Sequence, residues 1–372
     1  MTRTVTPTAG GAGFLPDLDR LRRAARLHRL PDALNVLKRR RLAPVSRRFY
    51  REMWQAAADN IGATCRPVGP GLTRIDRDGY ATFVEGSDLM LDSAVTLSMI
   101  GDREVSFELI AGHGIRTPAY RVFDRARARE AEAFLAATGG PVVVKPLRGT
   151  GGGRGVTTGV DTPERLRRAI RRAARFGRDL VVEEQVPGDY YRLTYLDGDL
   201  IDAVRRDPPA LVGTGDKTIR HLVARENDRR LNGPVPTALS PLLIDADMRN
   251  RLAEDGRRLS DVPARGETVV VKRAVNENAA AQNHSVQGQV PEATAARLGQ
   301  LVTDLGLRFA GVDLMTPDLA TPLGPEGPVV IEINGNPGLH HHVLVANPTQ
   351  AVPVPRIVLE HLFANRVGVV RP

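Results

Sequence analysis

The run Pro141–Val156, PVVVKPLRGTGGGRGV, constrains this chain more than any other segment. Pro141 to Lys145 is a short β-branched strand that ends in a lysine. A turn follows with five glycines between Gly149 and Gly155. Glycines this dense leave backbone N–H groups free to crowd around an anion, usually phosphate, and the strand-end lysine adds a point charge. Two commoner phosphate motifs do not fit. Val156 and Thr157 follow the glycines where G-x-x-x-x-G-K-[ST] needs Lys and Ser/Thr, and no frame gives G-x-G-x-x-G. The bland alternative is a flexible linker, which rarely follows a V-V-V-K strand so tightly.

A second cluster lies near the C-terminus. Arg308–Met315 (RFAGVDLM) reads as a buried strand carrying one acid, Asp313. Val329–Asn334 (VVIEIN) reads as another, closed by Gly335-Asn336-Pro337-Gly338. Residues two apart on a strand face the same way, so Glu332 and Asn334 share a face and Ile331 and Ile333 take the other. A carboxylate and an amide side by side, with one carboxylate from a neighbouring strand, form a hard oxygen set suited to magnesium beside phosphates. An acid in an apolar strand is costly unless paired or metal-bound, which weighs against three merely solvated side chains.

Together these residues resemble the ATP-grasp superfamily. The likeness is closest to its carboxylate–amine ligases, such as the ATP-grasp domains of cyanophycin synthetases and bifunctional glutathione synthetases, and it spans roughly Asp92 to Phe363. It implies an α/β (α+β) fold in which two lobes hold ATP, with magnesium, or manganese in its place, as the metal. By resemblance, Lys145 holds the α- and β-phosphates, and Gly149, Thr150, Gly151, Gly152 and Gly153 belong to a flap over the triphosphate. Leu180–Gly188 (LVVEEQVPG) resembles the hinge that reads adenine, with Glu183 toward the exocyclic amine and the backbone of Glu184 and Val186 along the purine edge. Asp313, Glu332 and Asn334 match metal ligands, and Arg192 an arginine beside the phosphates. Lys272 and Arg273 are further candidates to stabilise an anionic intermediate. Arg205–Leu222 resembles the relatives' R-x-P-x-x-V-x-G-D-G-x-x-T-I-x-x-L segment.

The departures carry information of their own. Asp102-Arg103 stands where relatives have D-K, so a guanidinium would replace an ammonium near the phosphates. The hinge tail reads P-G-D-Y-Y-R against the usual P-G-x-D-Y-R, which puts the ribose-side acid, Asp189, one residue early. Asn278-Ala279-Ala280-Ala281 replaces an S-T-G-G loop near the acceptor, so a different substrate is expected on unchanged nucleotide machinery. Asn276, Asn278, Asn336, Gly338 and His340 are the candidate substrate contacts. His340-His341-His342 cannot all point at one ion, and pocket lining is the better reading.

The chain has 372 residues, enough for two or three modules. The expected plan is a disordered tail over 1–13, a small α/β preface over 14–98 and a small lobe with the Gly-rich loop over 99–179. A large lobe with the metal site takes 180–372. An arginine-rich helix and a second helix near 47–61 holding Trp54 are expected in the preface. One cysteine, Cys65, fits a reducing compartment, and no signal-like or spanning apolar run is visible, so a cytoplasmic enzyme without membrane association is expected. The net charge is +9, but residues 20–51 alone carry +11, leaving −2 for the rest. That patch has little aromatic interleaving, so a solvated or subunit-facing helix is favoured over nucleic acid, with a homodimer expected. The activity implied by the resemblance is ATP-dependent amide-bond formation between a carboxylate and an amine of amino-acid or peptide type, through an acylphosphate, in specialised-metabolite biosynthesis. The alternatives are a phosphotransferase on the same fold and a non-catalytic nucleotide- or polyanion-binding module.

Overall fold

The structure, a computed structural model, describes residues 30–148 and 155–372. The expected tail 1–13, the basic residues before Leu30 and the flap residues Gly149 to Gly153 lie outside the described residues. Contacts divide the chain into Met1–Arg41 and Leu42–Pro372. The described part of the first unit, residues 30–41, is helical.

Helix α1 runs Leu30–Asn60 with Pro44 inside it. The helix expected near 47–61 is thus longer, taking in the basic residues Lys38 to Arg41. A proline removes one N–H and crowds the preceding turn, and the strong helix formers around Pro44 carry the helix through it. Trp54 on α1 is 1% exposed, and its indole N–H donates to the Gly86 carbonyl at 2.8 Å. Strands β1 (Thr64–Pro67), β2 (Leu72–Arg77) and β3 (Tyr80–Glu85) form an antiparallel sheet. Asp78 and Gly79 join β2 to β3 with φ of 51° and 76°, the geometry a two-residue hairpin turn requires.

Next come α2 (Ala94–Gly101), α3 (Arg103–Gly112), β4 (Tyr120–Phe123) and α4 (Ala128–Thr138). They are followed by β5 (Val142–Pro146), β6 (Thr157–Val160), α5 (Pro163–Ala173) and β7 (Leu180–Glu184). Asp102 ends α2 and caps α3, its carboxylate accepting from the Glu104 N–H at 3.2 Å. The four strands pair antiparallel in the order β4-β7-β5-β6. Val142 and Val144 of β5 are buried against Leu166, Ala169 and Ile170 of α5. The arginines of α5 take its other side, as the four-residue spacing predicts. Strand β7 was expected to open the large lobe. It pairs instead with β4 and β5, so the crossover falls after Glu184 rather than at residue 180.

The third sheet uses β8 (Asp189–Leu196) and β9 (Asp199–Arg206), joined at Asp197-Gly198 as their sequence predicts. After β10 (Ala210–Val212), α6 (Ile219–Asn232), α7 (Ala246–Glu254) and β11 (Thr268–Val270), the chain returns as β12 (Asn283–Ser285). Helix α8 (Glu292–Asp304), β13 (Phe309–Thr316) and β14 (Val329–Gly335) complete the sheet, whose order is β12-β9-β8-β13-β14. Strands β10 and β11 make a separate two-stranded sheet with their own core, in which Ile219, Leu222, Met248, Leu252 and Val271 are buried. The short helix α9 (His340–Val343) and α10 (Val354–Asn365) close the chain. Among the described residues no helix is long and apolar enough to cross a membrane.

Candidate active site

Arg192 on β8, Asp313 on β13 and Glu332 on β14 pair across the three strands in one row. Directly paired residues of antiparallel strands project to the same face, so the sheet itself brings the three together. Asp313 is fully buried. Its Oδ1 accepts from Arg192 Nε at 2.6 Å, and its Oδ2 from Arg192 Nη2 at 2.6 Å and Asn334 Nδ2 at 3.0 Å. The Tyr190 hydroxyl also donates to Oδ2. Burial works against the charge on Arg192, but Asp313 more than offsets it and holds the guanidinium above its ordinary value. Glu332 is different. Among the described residues its carboxylate makes no hydrogen bond or ion pair, and it faces a cavity of about 270 Å³. Desolvation, and then repulsion from Asp313, raise its carboxyl above the ordinary value.

Lys145 and Arg103 converge on a second carboxylate. The Lys145 ammonium bonds Glu183 Oε1, and Arg103 Nη1 meets Glu183 Oε2 at 3.1 Å. The Arg103 guanidinium lies 4.9 Å from the Phe107 ring centroid. Burial lowers the Lys145 pKa, with the Glu183 charge acting against it. Glu183 therefore does not project free toward a base, as the adenine-amine reading expects. It is the counter-ion of two cations. The Glu184 carboxylate is held by Arg116 at 2.6 Å and the Ala119 N–H at 3.0 Å, and its own N–H donates to the Ala119 carbonyl. Val186 is buried. The cavity runs between these groups: Arg103, Leu147 and Arg148 line one side, Glu332 and Asn334 the other. Leu147 and Arg148 lead directly into the glycine run.

Three of the expected site residues are used otherwise. Asp189 shares its strand face with Tyr191 and Leu193, which are buried in the core on the far side of the sheet from Arg192. Moving the acid one residue early thus turns it off the Arg192 face. Lys272 is 2% exposed, its ammonium enclosed by Asp245 at 2.8 Å and Glu277 at 2.7 Å. It completes a buried ion cluster and is not available to a reacting anion. Arg273 pairs with Glu254 beside Gly159 of β6.

The candidate substrate residues are partly gathered. Asn278 Nδ2 donates to the Asp207 carbonyl at 3.3 Å and to Asn283 Oδ1 at 2.7 Å. The side-chain oxygens of Asn276, Asn278 and Asn336 are buried without a partner among the described residues. Asn336 takes φ 49° and lines the cavity. A Cβ on Gly338 would sit 2.8 Å from the His340 ring, so only glycine lets that ring lie where it does. His340 Nδ1 meets the Tyr50 hydroxyl at 3.0 Å, and burial, followed by the Arg206 and Arg192 charges, lowers its pKa to about 3. His342 is bound on both ring nitrogens, to Asp202 at 2.7 Å and Thr194 at 2.8 Å. Among the described residues no three His, Cys, Asp or Glu side chains gather as a metal-binding group. Sequence reasoning missed Tyr50 and Arg206 at this site, while His341 falls in the histidine run expected to line a pocket. Arg206 stands at the arginine of the R-x-P segment, a signal that was present; Tyr50 lies far away in sequence and gave none.

No family model matches the sequence. The chain is 27% identical over 267 residues to the cyanophycin synthetase of Trichormus variabilis, covering 71% of this chain and 29% of that protein. It is 27% identical over 300 residues to the glutathione biosynthesis bifunctional protein of Lactiplantibacillus plantarum, covering 79% of this chain and 39% of that one. The chain thus spans less than a third of the length of the cyanophycin synthetases it matches. A solved bifunctional glutathione synthetase from Pasteurella multocida superposes over 87% of this chain and 46% of its own, with a TM-score of 0.55 at 21% identity. The four-stranded and five-stranded antiparallel sheets, the cavity lined by Arg103 and Glu332, and these likenesses together show that the chain has the ATP-grasp fold.

Proposed function

We propose that this chain is an ATP-dependent ligase that joins a carboxylate to an amine of amino-acid or peptide type. A substrate carboxylate attacks the γ-phosphorus of ATP, giving an acylphosphate and ADP, and the amine then displaces phosphate. Carboxylate alone is a poor electrophile, and the mixed anhydride supplies the leaving group. The protein's part is positioning and charge neutralisation. The observation that carries this reading is the cavity with Arg103 on one side, which shares its counter-ion Glu183 with Lys145, and Glu332, a carboxylate unpaired among the described residues, on the other.

The oxygen set fits a hard cation. Glu332 is uncommitted among the described residues, Asn334 donates its amide N–H to Asp313 and so leaves its carbonyl oxygen, and Asp313 Oδ1 accepts one bond with a lone pair to spare. Magnesium held there would neutralise phosphate charge. Lys145 and Arg103, already clasped to Glu183, would bind phosphate oxygens without having to be ordered first. Arg192, fixed by Asp313, would face the anionic intermediate.

The test is ADP release with and without a panel of amines. Glu332→Gln should lower it by roughly 100-fold or more, the scale of losing one charge stabiliser. Activity within about threefold of the parent would reject the assignment. ADP release that no amine stimulates, with a stable phosphate ester as product, would reject the ligase.

A further inference from the structure

A second cavity, of about 570 Å³, lies on the unit built around β10 and β11. It shares no lining residue with the cavity beside Glu332. Its walls come from the start of α6, one face of α7 and the segment 257–260 that follows α7. Arg249, Leu252 and Ala253 are three and four residues apart on α7, so they share a face. The segment after α7 is pinned to the start of α6. The Ile219 N–H donates to the Asp261 carbonyl at 2.9 Å, and the Arg220 N–H to the Leu259 carbonyl at 3.0 Å. Leu252 and Leu259 are buried and give the cavity an apolar floor.

Four arginines line this cavity: Arg220, Arg249, Arg257 and Arg258. Arg257 pairs with Glu267. Arg220, Arg249 and Arg258 are exposed, and among the described residues their guanidinium groups meet no acid. The carboxylates nearby in sequence are committed elsewhere. Glu254 takes Arg251 and Arg273, Asp255 takes Arg251 at 2.7 Å, and Asp245 takes Lys272 at 2.8 Å. Asp261 accepts from the Arg258 backbone N–H at 2.7 Å. The arginines of α5 show the contrast. Arg165, Arg167 and Arg168 each meet an acid, Asp161, Glu132 and Glu164, as on an ordinary solvated face. Three unpaired guanidinium groups around one hollow repel one another, and an anion from outside relieves that repulsion.

We propose that this cavity binds a small organic phosphate, at a site separate from the nucleotide cavity. A phosphate monoester carries about 1.5 to 2 negative charges near pH 7 and three strong acceptor oxygens, enough to engage all three free arginines. A carboxylate offers one charge and two oxygens. Leu252, Ala253 and Leu259 take the apolar body of the ligand. The volume of about 570 Å³ falls within the range of small-molecule sites.

The test is calorimetric titration of the full chain with phenyl phosphate, inorganic phosphate and benzoate. Phenyl phosphate should bind with a Kd below about 1 mM, and about tenfold or more tighter than either of the others. Arg249→Gln and Arg258→Gln should each weaken it by about tenfold, the scale of one charge-assisted hydrogen bond. Arg171→Gln, which removes an exposed arginine of α5, should leave that affinity unchanged. Arg103→Gln, beside the nucleotide cavity, should retain a site of the same affinity. Circular dichroism of each variant checks the fold. Binding lost in Arg103→Gln and kept in Arg249→Gln would put the phosphate in the nucleotide cavity and overturn the proposal. An equal loss in Arg171→Gln would reduce the attraction to diffuse charge and overturn it too. Inorganic phosphate or benzoate binding as tightly as phenyl phosphate would reject an organic phosphate as the occupant. No saturable binding up to about 10 mM would reject the site itself. Binding needs no turnover, so the outcome stands apart from that of the ligase assay.

Discussion

Asp313 and Glu332 stand side by side on adjacent strands, yet the protein treats them in opposite ways. Asp313 is held by Arg192, Tyr190 and Asn334, and Glu332 is left to the cavity. The two substitutions should therefore separate stability from function. Asp313→Leu strands a buried guanidinium and should cost about 3–5 kcal/mol in denaturant unfolding. Glu332→Gln removes a charge that both burial and Asp313 oppose, so it should leave stability unchanged or raise it. A second prediction concerns pH. His340 and His341 are buried and neutral, facing Tyr50, Arg206, Arg192 and His342, and their pKa values are lowered, that of His340 to about 3. Above an ordinary imidazole pKa near ~6.5, both folded and unfolded chains are neutral and nothing changes. As pH falls from about 6.5 toward 3, the unfolded chain binds protons that the native one refuses, so stability drops by up to about 1.4 kcal/mol per pH unit for each imidazole. Urea midpoints measured across that range should fall with pH, and His340→Gln should flatten the fall. A profile that His340→Gln leaves as steep would reject the buried neutral state.

At the level of elements, close backbone approach sets the packing around the third sheet. A Cβ on Gly299 of α8 would lie 2.1 Å from the Gly198 carbonyl oxygen in the β8–β9 turn. Backbone cannot move aside as a flexible side chain can. Gly299→Ala should therefore destabilise by about 1–3 kcal/mol despite its better helix propensity, read from thermal or urea unfolding. The β10–β11 unit is held partly by charge. Lys272→Met leaves Asp245 and Glu277 without their cation and should cost about 3–5 kcal/mol. If Lys272 is structural, the folded fraction of this variant keeps its KM for ATP. A selective rise in that KM would return Lys272 to the site. The hairpins at Asp78-Gly79 and Asp197-Gly198 were legible because two-residue turns demand positive φ and few residues supply it. Strand β6, helix α6 and strand β12 were not, since each is short on periodicity and gains its stability from partners far along the chain.

Across the unit Leu42–Pro372, one buried acid links parts distant in sequence. Asp247 of α7 accepts from the Thr158 hydroxyl on β6 and from the N–H groups of Arg273 and Ala274 at 3.2 and 3.1 Å. The strand that follows the glycine run is thus tied to the segment that leads to Asn276 and Asn278. A double-mutant cycle on Thr158→Val and Asp247→Asn should give a coupling of about 0.5–3 kcal/mol in unfolding, and a value near zero would remove the link. The sequence alone determined strands β5, β13 and β14, the hairpins, the glycine run beside Lys145 and the shared face of Glu332 and Asn334, because each follows from local dihedral preference or from a period of two. Tertiary structure decided which charges meet. Glu183 closing on Lys145 and Arg103, Lys272 sealed between two acids and Arg206 left without one among the described residues all depend on registers between strands far apart in the chain. So did the side on which Asp189 falls: a single-residue offset reverses a strand's faces, and only the paired sheet fixes which face meets the cavity.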